Sequence, residues 1–574
     1  MKPVDEEKHA GLSGNVILRF SSGKLGRNGV GPVTPPLMRY AILTSMKTAT
    51  FATSVGVLLA VLAVRADASA TTNTIVSFKD AAKIKSWDAW NDHVKKAKPT
   101  SILQKERKCV TWKALNELDP GLKEIGRLAV RNSKDIKASS WSVGCETMDR
   151  DYAEWNSFKE LLPMLGVKHA RFFSGWAKTE QEKGKYDFTW LDPQLRESAA
   201  MGVKPWVCLS YGNPVWGSDF RLGMRVKQVT DNPEAFEAWL RYCRACVARY
   251  KDVVDEWEIW NEPFHQGPEY AEMVYRTAKA IHEVQPNAKC FVTAISWNRD
   301  PEKNDYAIVA EKLKKENALD LVTHWIYHPY SPNPDSSYVQ AERLREFVKG
   351  YSPKYDIMQG EVGCPAQLEF AHAMHSIEWT EYSQAKWDLR RTIGDFSRNI
   401  PCNVFTMIDL QYTFMLQSFG LVRSNSLKEF VYRRPSFFAM QNVFNLLDCD
   451  AKPEKMDLEA PFTMNYWYNA RNAKPRTLTC SRVSRKGKPL WFFWFAQDRP
   501  SNDIGFDRIK LPVWGHLENP VWVDMITGRV FEIPAGTFEQ EERRTVFRDL
   551  PMWDSPILIA DRSSLELRDE PAKK

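Results

Sequence analysis

Trp257-Glu258-Ile259-Trp260-Asn261-Glu262-Pro263 is an apolar, strand-like run that closes on an amide, a carboxylate and a proline. Packing gives no reason for an acid at that point, because carboxylates are seldom buried without a partner. Chemistry does. A strand end that presents Asn261 beside Glu262 can hold a sugar hydroxyl with the amide and protonate a glycosidic oxygen with the acid. Such a step needs a second carboxylate. Asp356-Ile357-Met358-Gln359-Gly360-Glu361-Val362-Gly363 supplies Glu361, again closing a short apolar run and followed by a glycine that lets the chain turn away. Glu361 lies roughly 100 positions after Glu262, or three strand-plus-helix units at about 30 or more residues each. With the first strand at Trp141, the two acids fall at the ends of the fourth and seventh strands of a parallel barrel.

Around these two segments, apolar strand-like runs alternate with amphipathic helical ones, the pattern of parallel βα units. Strands are expected near 141–146, 168–174, 203–210, 253–262, 289–295, 320–328, 355–361 and 402–409. Helices are expected at Tyr152 to Leu165, Asn232 to Tyr250 with Pro233 in the first turn, Glu269 to Val284, and Trp379 to Arg398. Gly166, Gly202 and Gly350 are placed just past helix ends. Beyond Asn445 the texture changes to short β-rich runs such as Arg476 to Val483 and Leu490 to Gln497, joined by turn-like segments, which indicates an antiparallel sandwich. The expected fold is therefore α/β, a (β/α)8 TIM barrel over 141–445 followed by a C-terminal antiparallel β-sandwich domain over 446–574. Ahead of them come an N-terminal extension with a signal peptide over 1–70 and a helical or irregular segment over 71–140, which either wraps the barrel or contributes to the C-terminal domain. The sandwich is expected to pack against the barrel rather than act as an independent sugar-binding module.

The sequence resembles the clan A glycoside hydrolases, retaining enzymes on (β/α)8 barrels with an Asn-Glu-Pro acid/base on strand 4 and a nucleophilic Glu on strand 7. The resemblance covers roughly Trp141 to Phe444, and it is most similar to the family 39 type of β-xylosidase, with families 5, 42 and 51 less close. Besides Trp260-Asn261-Glu262-Pro263, it is carried by His169-Ala170-Arg171-Phe172-Phe173, Gly184-Lys185-Tyr186-Asp187-Phe188 and Ile326-Tyr327-His328-Pro329-Tyr330. It implies Glu262 as the catalytic acid/base and Glu361 as the nucleophile, with Arg171 and Tyr330 as donors to the nucleophile. Asn261 would bind the sugar hydroxyl next to the anomeric carbon, and His328 would orient the nucleophile or touch the sugar. Glu258, four positions before Glu262, reads as structural, and Glu146 and Asp149 as possible sugar ligands. Strand eight, Phe405-Thr406-Met407-Ile408-Asp409, has no tryptophan where many relatives place one under the sugar. Trp176, Trp206, Trp216 and Trp325, with Tyr412, are then the candidate stacking platforms.

Composition sets the outer bounds. With 574 residues, 43% hydrophobic and 12% aromatic, the chain can bury a large core and divide into two domains. The 79 basic residues against 72 acidic ones are scattered rather than striped, which argues against a nucleic-acid surface. Phe51 to Val64 is apolar, follows Met46-Lys47 and leads into Ala66-Asp67-Ala68-Ser69-Ala70, the layout of a secretory signal. At fewer than the ~20 residues of a membrane span it implies export to a secreted or periplasmic location, with no stable membrane insertion after cleavage; an uncleaved anchor is the alternative. Met38 or Met46 would make a more ordinary start than Met1. All ten cysteines follow this signal, so export would permit disulfides whose pairing is not readable. Cys243 and Cys246 lie at helical spacing among apolar residues and read as buried thiols rather than a zinc or redox pair. His324 and His328 share a strand face, but two histidines are not a metal site.

The expected activity is that of an exported, retaining glycoside hydrolase that cleaves β-linked bonds in a polysaccharide or oligosaccharide, without metal or organic cofactor. Alternatives are a non-catalytic carbohydrate-binding protein on a barrel scaffold, or a transglycosylase. The loops Gly212 to Val229 and Ser331 to Tyr338 look long enough to wall off one side of the barrel mouth, which favours a pocket and exo-type attack.

Overall fold

The computed structural model describes residues 110–219, 226–263, 267–293, 304–454, 464–466, 476–496 and 499–568. The chain divides into two compact units, Met1–Lys108 and Cys109–Lys574. The first unit lies outside the described residues, and with it the signal segment and most of 71–140.

Eight parallel strands close into a barrel: β1 (Trp141–Gly144), β2 (His169–Phe173), β3 (Lys204–Leu209), β4 (Glu256–Ile259), β5 (Lys289–Thr293), β6 (His324–Tyr327), β7 (Asp356–Val362) and β8 (Cys402–Val404). The ring is shut by β1 against β8, with Trp141 opposite Cys402 and Val143 opposite Val404. Seven strands fall inside the expected windows, and β7 runs one residue past its window, to Val362. Their residues are almost all buried, because helices cover the outside and side chains fill the lumen. Trp206 shows the lumen directly: its indole Nε1 donates to Ser142 Oγ on β1 (2.8 Å), and that hydroxyl donates to Asn403 Oδ1 on β8 (2.6 Å).

The covering helices follow local rules. Helix α1 (Pro233–Tyr250) starts at Asn232, whose side chain accepts from the amides of Glu234 and Ala235, with Pro233 in the first turn. Its apolar stripe, including Phe236, Trp239, Leu240, Cys243, Cys246 and Val247, is buried against the barrel. Cys243 and Cys246 are thus core thiols, and none of the described cysteines is disulfide-bonded. Helix α2 (Glu381–Phe396) opens with a reciprocal cap between Thr380 and Ser383.

Two expectations need correction. Tyr152 to Leu165 is not an α-helix but three short 3₁₀ turns, Trp155–Ser157, Lys159–Leu161 and Pro163–Leu165. Pro163 inside the window has no N–H to give and clashes with the preceding turn, so a continuous helix cannot form there. Gly166 and Gly202 do take the left-handed conformation, at φ 75° and 81°. Gly350, by contrast, lies within the helix Tyr338–Tyr351 rather than past its end.

After the barrel, a nine-stranded antiparallel sheet and a three-stranded sheet form the sandwich. Lys123–Leu128, ahead of the barrel in sequence, pairs between Arg529–Glu532 and Leu567–Arg568 in the large sheet. Lys386 of α2 ties barrel to sandwich: its buried ammonium donates to the carbonyls of Ser501 (3.1 Å) and Asp503 (2.9 Å) and to Asp554 Oδ1 (2.5 Å). Among the described residues no helix is long and apolar enough to cross a membrane.

Removing one partner of a buried ion pair leaves the other charge uncompensated. Lys386→Met is therefore expected to cost about 3 kcal/mol at neutral pH by urea unfolding. Asp554→Asn placed in that background should recover part of the loss; costs that simply add would show that the two groups are not coupled.

Candidate active site

Glu262 lies three residues beyond the end of β4 and Glu361 is the sixth residue of β7, so both acids reach the C-terminal mouth of the barrel. The chain leaves β4 under strain. Trp260 and Glu262 both adopt left-handed backbone, at φ 63° and 51°. Each such conformation costs a non-glycine residue on the order of 1 kcal/mol or more, and it persists where surrounding packing fixes it. Here Trp260 is fully buried, edge-on to Trp239 (5.5 Å) and Tyr211 (5.7 Å). Gly363, after Glu361, is required by space rather than by an unusual φ: a Cβ there would come within 1.8 Å of the Phe405 carbonyl oxygen.

One guanidinium organises the site. Arg171, fully buried on β2, makes five hydrogen bonds to four side chains: Nε and Nη2 to Glu258 (2.8 and 2.7 Å), Nη1 to Glu361 Oε2 (2.7 Å) and Glu146 Oε1 (3.1 Å), and Nη2 to Asn261 Oδ1 (2.7 Å). Trp206 lies beneath it, 5.4 Å from ring centroid to guanidinium carbon. Glu361 is held on its other oxygen by the Tyr330 hydroxyl (2.9 Å). His328 Nδ1 is bonded to Glu262 Oε1 (2.9 Å) and is 4.0 Å from Glu361 Oε2. Of the two roles expected of His328, orienting the nucleophile or touching the sugar, the first is not met by a hydrogen bond, which goes to Glu262, though the ring lies beside Glu361. An oxygen of each acid and the His328 nitrogen lie within 4.8 Å of one another. That trio has metal-ligand spacing, but both Glu361 oxygens already accept protein hydrogen bonds, from Arg171 and Tyr330.

Environment drives the two acids apart. Burial raises Glu262 and the charge of Glu361 raises it further, while the His328 hydrogen bond pulls the other way; the balance is a carboxyl above its usual range. Burial would raise Glu361 too. There the charges of His328 and Arg171 and the hydrogen bonds from Arg171 and Tyr330 win, and its pKa falls below the ordinary value. Burial works against a charged His328, yet Glu361 and Glu262 lift it above the usual imidazole value. Glu146 is held up to about 7, by burial first, against the opposing charge of Arg171. Four carboxyls and two bases thus share one dry site. About 25% of the Glu262 side chain remains open, against 11% for Glu361, so the acid whose pKa is raised is also the more exposed of the two.

Known structures share this architecture. A family 39 glycoside hydrolase from Bacteroides cellulosilyticus WH2 superposes with a TM-score of 0.54 at 16% identity, over 76% of this chain and 82% of that one. The fold is that of the clan A glycoside hydrolases. A GH30 endoxylanase from Clostridium papyrosolvens C71 overlaps less well, with a TM-score of 0.46 at 12% identity over 77% of this chain and 98% of its own. In sequence, the chain is 24% identical over 242 residues to the aryl-phospho-beta-D-glucosidase BglA of Bacillus subtilis (strain 168), a match covering 36% of this chain. The chain spans about half, 46%, of the length of that curated relative. No family model matches the sequence.

Within this glycoside hydrolase fold, the tryptophans expected as stacking platforms are core residues. Trp176, Trp206 and Trp325 are fully buried and Trp216 is 7% exposed. Trp176 Nε1 donates to Glu180 (2.6 Å), Trp325 packs among Tyr306 and Tyr355, and Trp216 is covered by Lys183 and Arg241. None presents a face to a sugar. Tyr412 alone of the five aromatics lies at the mouth, beside Tyr152 at 4.4 Å. Two residues of the site carry no strong sequence signal. Tyr211 accepts from Asn261 Nδ2 (2.8 Å), and Glu146 is a direct partner of Arg171 rather than a free sugar ligand. Gly144 makes room for Glu146, since a Cβ there would meet its carboxylate at 2.2 Å.

Glu146 generates a signed prediction. Its folded pKa of about 7 lies above the ~4.3 of an unfolded glutamate, so as pH rises the unfolded chain releases this proton first. The native state loses stability through that window. Glu146→Gln keeps an acceptor for Arg171 and abolishes the titration, so it should be more stable than wild type by on the order of 2 kcal/mol at pH 8. The difference should vanish towards pH 4 in melting curves taken across the range; a constant difference would contradict the assignment.

Proposed function

We propose that the chain is an exported, retaining glycoside hydrolase that cleaves β-linked bonds by double displacement. The observation that carries this reading is the acid pair: two carboxyls with oxygens within 4.8 Å, one shifted up and one shifted down. A retaining pair needs carboxyl groups about 5–5.5 Å apart, whereas an inverting pair leaves about 6.5–9.5 Å for a water. The close spacing supports the retaining route. Glu361 attacks the anomeric carbon as the bond to the leaving oxygen breaks, and Glu262 delivers its proton to that oxygen. The resulting glycosyl ester on Glu361 is then hydrolysed by a water that Glu262, now a carboxylate, deprotonates.

The surrounding groups support these roles. Arg171 and Tyr330 keep Glu361 ionised, and His328 fixes Glu262. Asn261 spends one Nδ2 hydrogen on Tyr211 and its oxygen on Arg171, which leaves its second Nδ2 hydrogen for the sugar hydroxyl beside the reacting carbon. A β-glycosidic bond agrees with the name of the Bacillus subtilis relative, an aryl-phospho-beta-D-glucosidase. Export rests on the apolar segment Phe51 to Val64 and the small residues after it, which lie outside the described residues.

The test uses aryl β-glycosides, with and without a 6-phosphate, whose leaving groups span a range of acidity. Glu361→Ala should abolish turnover, and added azide should restore part of it as a glycosyl azide of inverted configuration, the small anion occupying the missing nucleophile's space. Glu262→Ala should lose several orders of magnitude on poor leaving groups and far less on good ones, which need little protonation. A uniform loss across leaving groups would remove Glu262 from the acid role, and a restored product of unchanged configuration would remove Glu361 from the nucleophile role.

A further inference from the structure

Phe370 and Phe414 are among the most exposed large apolar side chains described, at 71% and 56%. They stand on the loops that follow β7 and β8, at the same end of the barrel as the acids. Isolated exposed aromatics need no explanation, but these two are the outer end of a continuous series of ring contacts. Phe370 lies 6.5 Å from Phe414, which stacks on His372 at 5.6 Å and 24°. His372 lies 4.4 Å from Tyr412, and Tyr412 4.4 Å from Tyr152. Exposure rises along the series, from half-buried Tyr152, Tyr412 and His372 to the open phenylalanines.

The inner end reaches the site: the Arg150 guanidinium lies 5.4 Å from the Tyr152 ring and 5.0 Å from the ring of Tyr211, the partner of Asn261. The charges of Glu361 and Glu262 both act on the Tyr412 hydroxyl, adding to burial in raising its pKa. That hydroxyl has no hydrogen-bond partner among the described residues. His372 stacks on Phe414, and more than half of the Phe414 surface remains exposed. An exposed ring backed by His372, in a series that runs inward to the site, suits the C–H face of a pyranose. It does not suit a protein partner, which would have to cover the mouth of the site itself.

We propose that Tyr412, Phe414 and Phe370 form an outer carbohydrate-stacking wall that binds sugar units beyond the bond cleaved, so that the site favours an oligosaccharide over a monoglycoside. This rests on the glycoside hydrolase reading above. The stacking phenylalanines hold the distal rings, and the free Tyr412 hydroxyl engages a sugar hydroxyl nearer the acids. Substrate length, rather than the identity of the leaving group, is what the wall reads.

The experiment compares wild type with Phe370→Ala, Phe414→Ala and the double variant. The probes are 4-nitrophenyl β-glycosides of single sugars and β-linked oligosaccharides of the same sugars with two to six units. Each single variant should lower kcat/KM on the longest oligosaccharides by about 3- to 10-fold, mostly through KM, and change the aryl monoglycosides by less than about twofold. Equal losses on both substrate classes, or no loss at any chain length, would overturn the wall. A wild-type enzyme that hydrolyses none of the probes would instead overturn the glycoside hydrolase reading on which the wall rests. Both side chains are on the surface, so the variants are expected to fold, and unchanged melting curves would verify that.

Discussion

A single buried guanidinium with three carboxylates around it is the constraint on which the rest of the site depends. Arg171 has no water to fall back on, and each acid it touches would be costly without it. Because its five donors are all committed, the positions of Glu146, Glu258, Glu361 and Asn261 are fixed relative to one another by one planar fork. Those groups come from three strands, β1, β4 and β7, and the fork from a fourth, β2, so the barrel's register and the fork's geometry have to agree. The same fork acts on the acids' pKa values. Burial would raise Glu361, but His328, Arg171 and Tyr330 together lower it, while Glu262, which has no hydrogen bond to the fork, is raised by burial and by the charge of Glu361.

The scaffold supports this arrangement with packing that is costly locally. Trp260 and Glu262 hold left-handed backbone that neither residue type prefers, and buried aromatics around Trp260 fix it. The strain aims Glu262 across the mouth towards His328 and Glu361.

Much of this was legible in the sequence, for physical reasons that differ from residue to residue. The eight strands announce themselves because an all-parallel barrel buries both faces of each strand, giving apolar runs at regular spacing. Asn261, Glu262 and Glu361 stand out because a polar group closing such a run has no packing motive. The tryptophans did not yield to the same reasoning: periodicity cannot tell a strand residue facing the lumen, such as Trp206, from one facing the mouth. Glu146 was readable as a polar residue near a strand end, but its role depends on Gly144 and on Arg171, which approach it only in three dimensions. Phe370 and Phe414 lie on loops without periodicity, where a sequence gives no sign of exposure. The segment Tyr152 to Leu165 had helical spacing, and Pro163 prevailed over it.

Trapping the covalent intermediate shows most directly which carboxylate around Arg171 is the nucleophile. A 2-deoxy-2-fluoro β-glycosyl fluoride of a sugar the enzyme accepts should inactivate it by forming a stable ester, because the fluorine at C2 slows both displacements while the good fluoride leaving group keeps the first fast enough for the ester to accumulate. Peptic digestion and mass spectrometry should then find the glycosyl group on the peptide containing Glu361 and on no other. An adduct on Glu146 or Glu262, or full inactivation with no covalent adduct, would contradict the assignment of charge around Arg171.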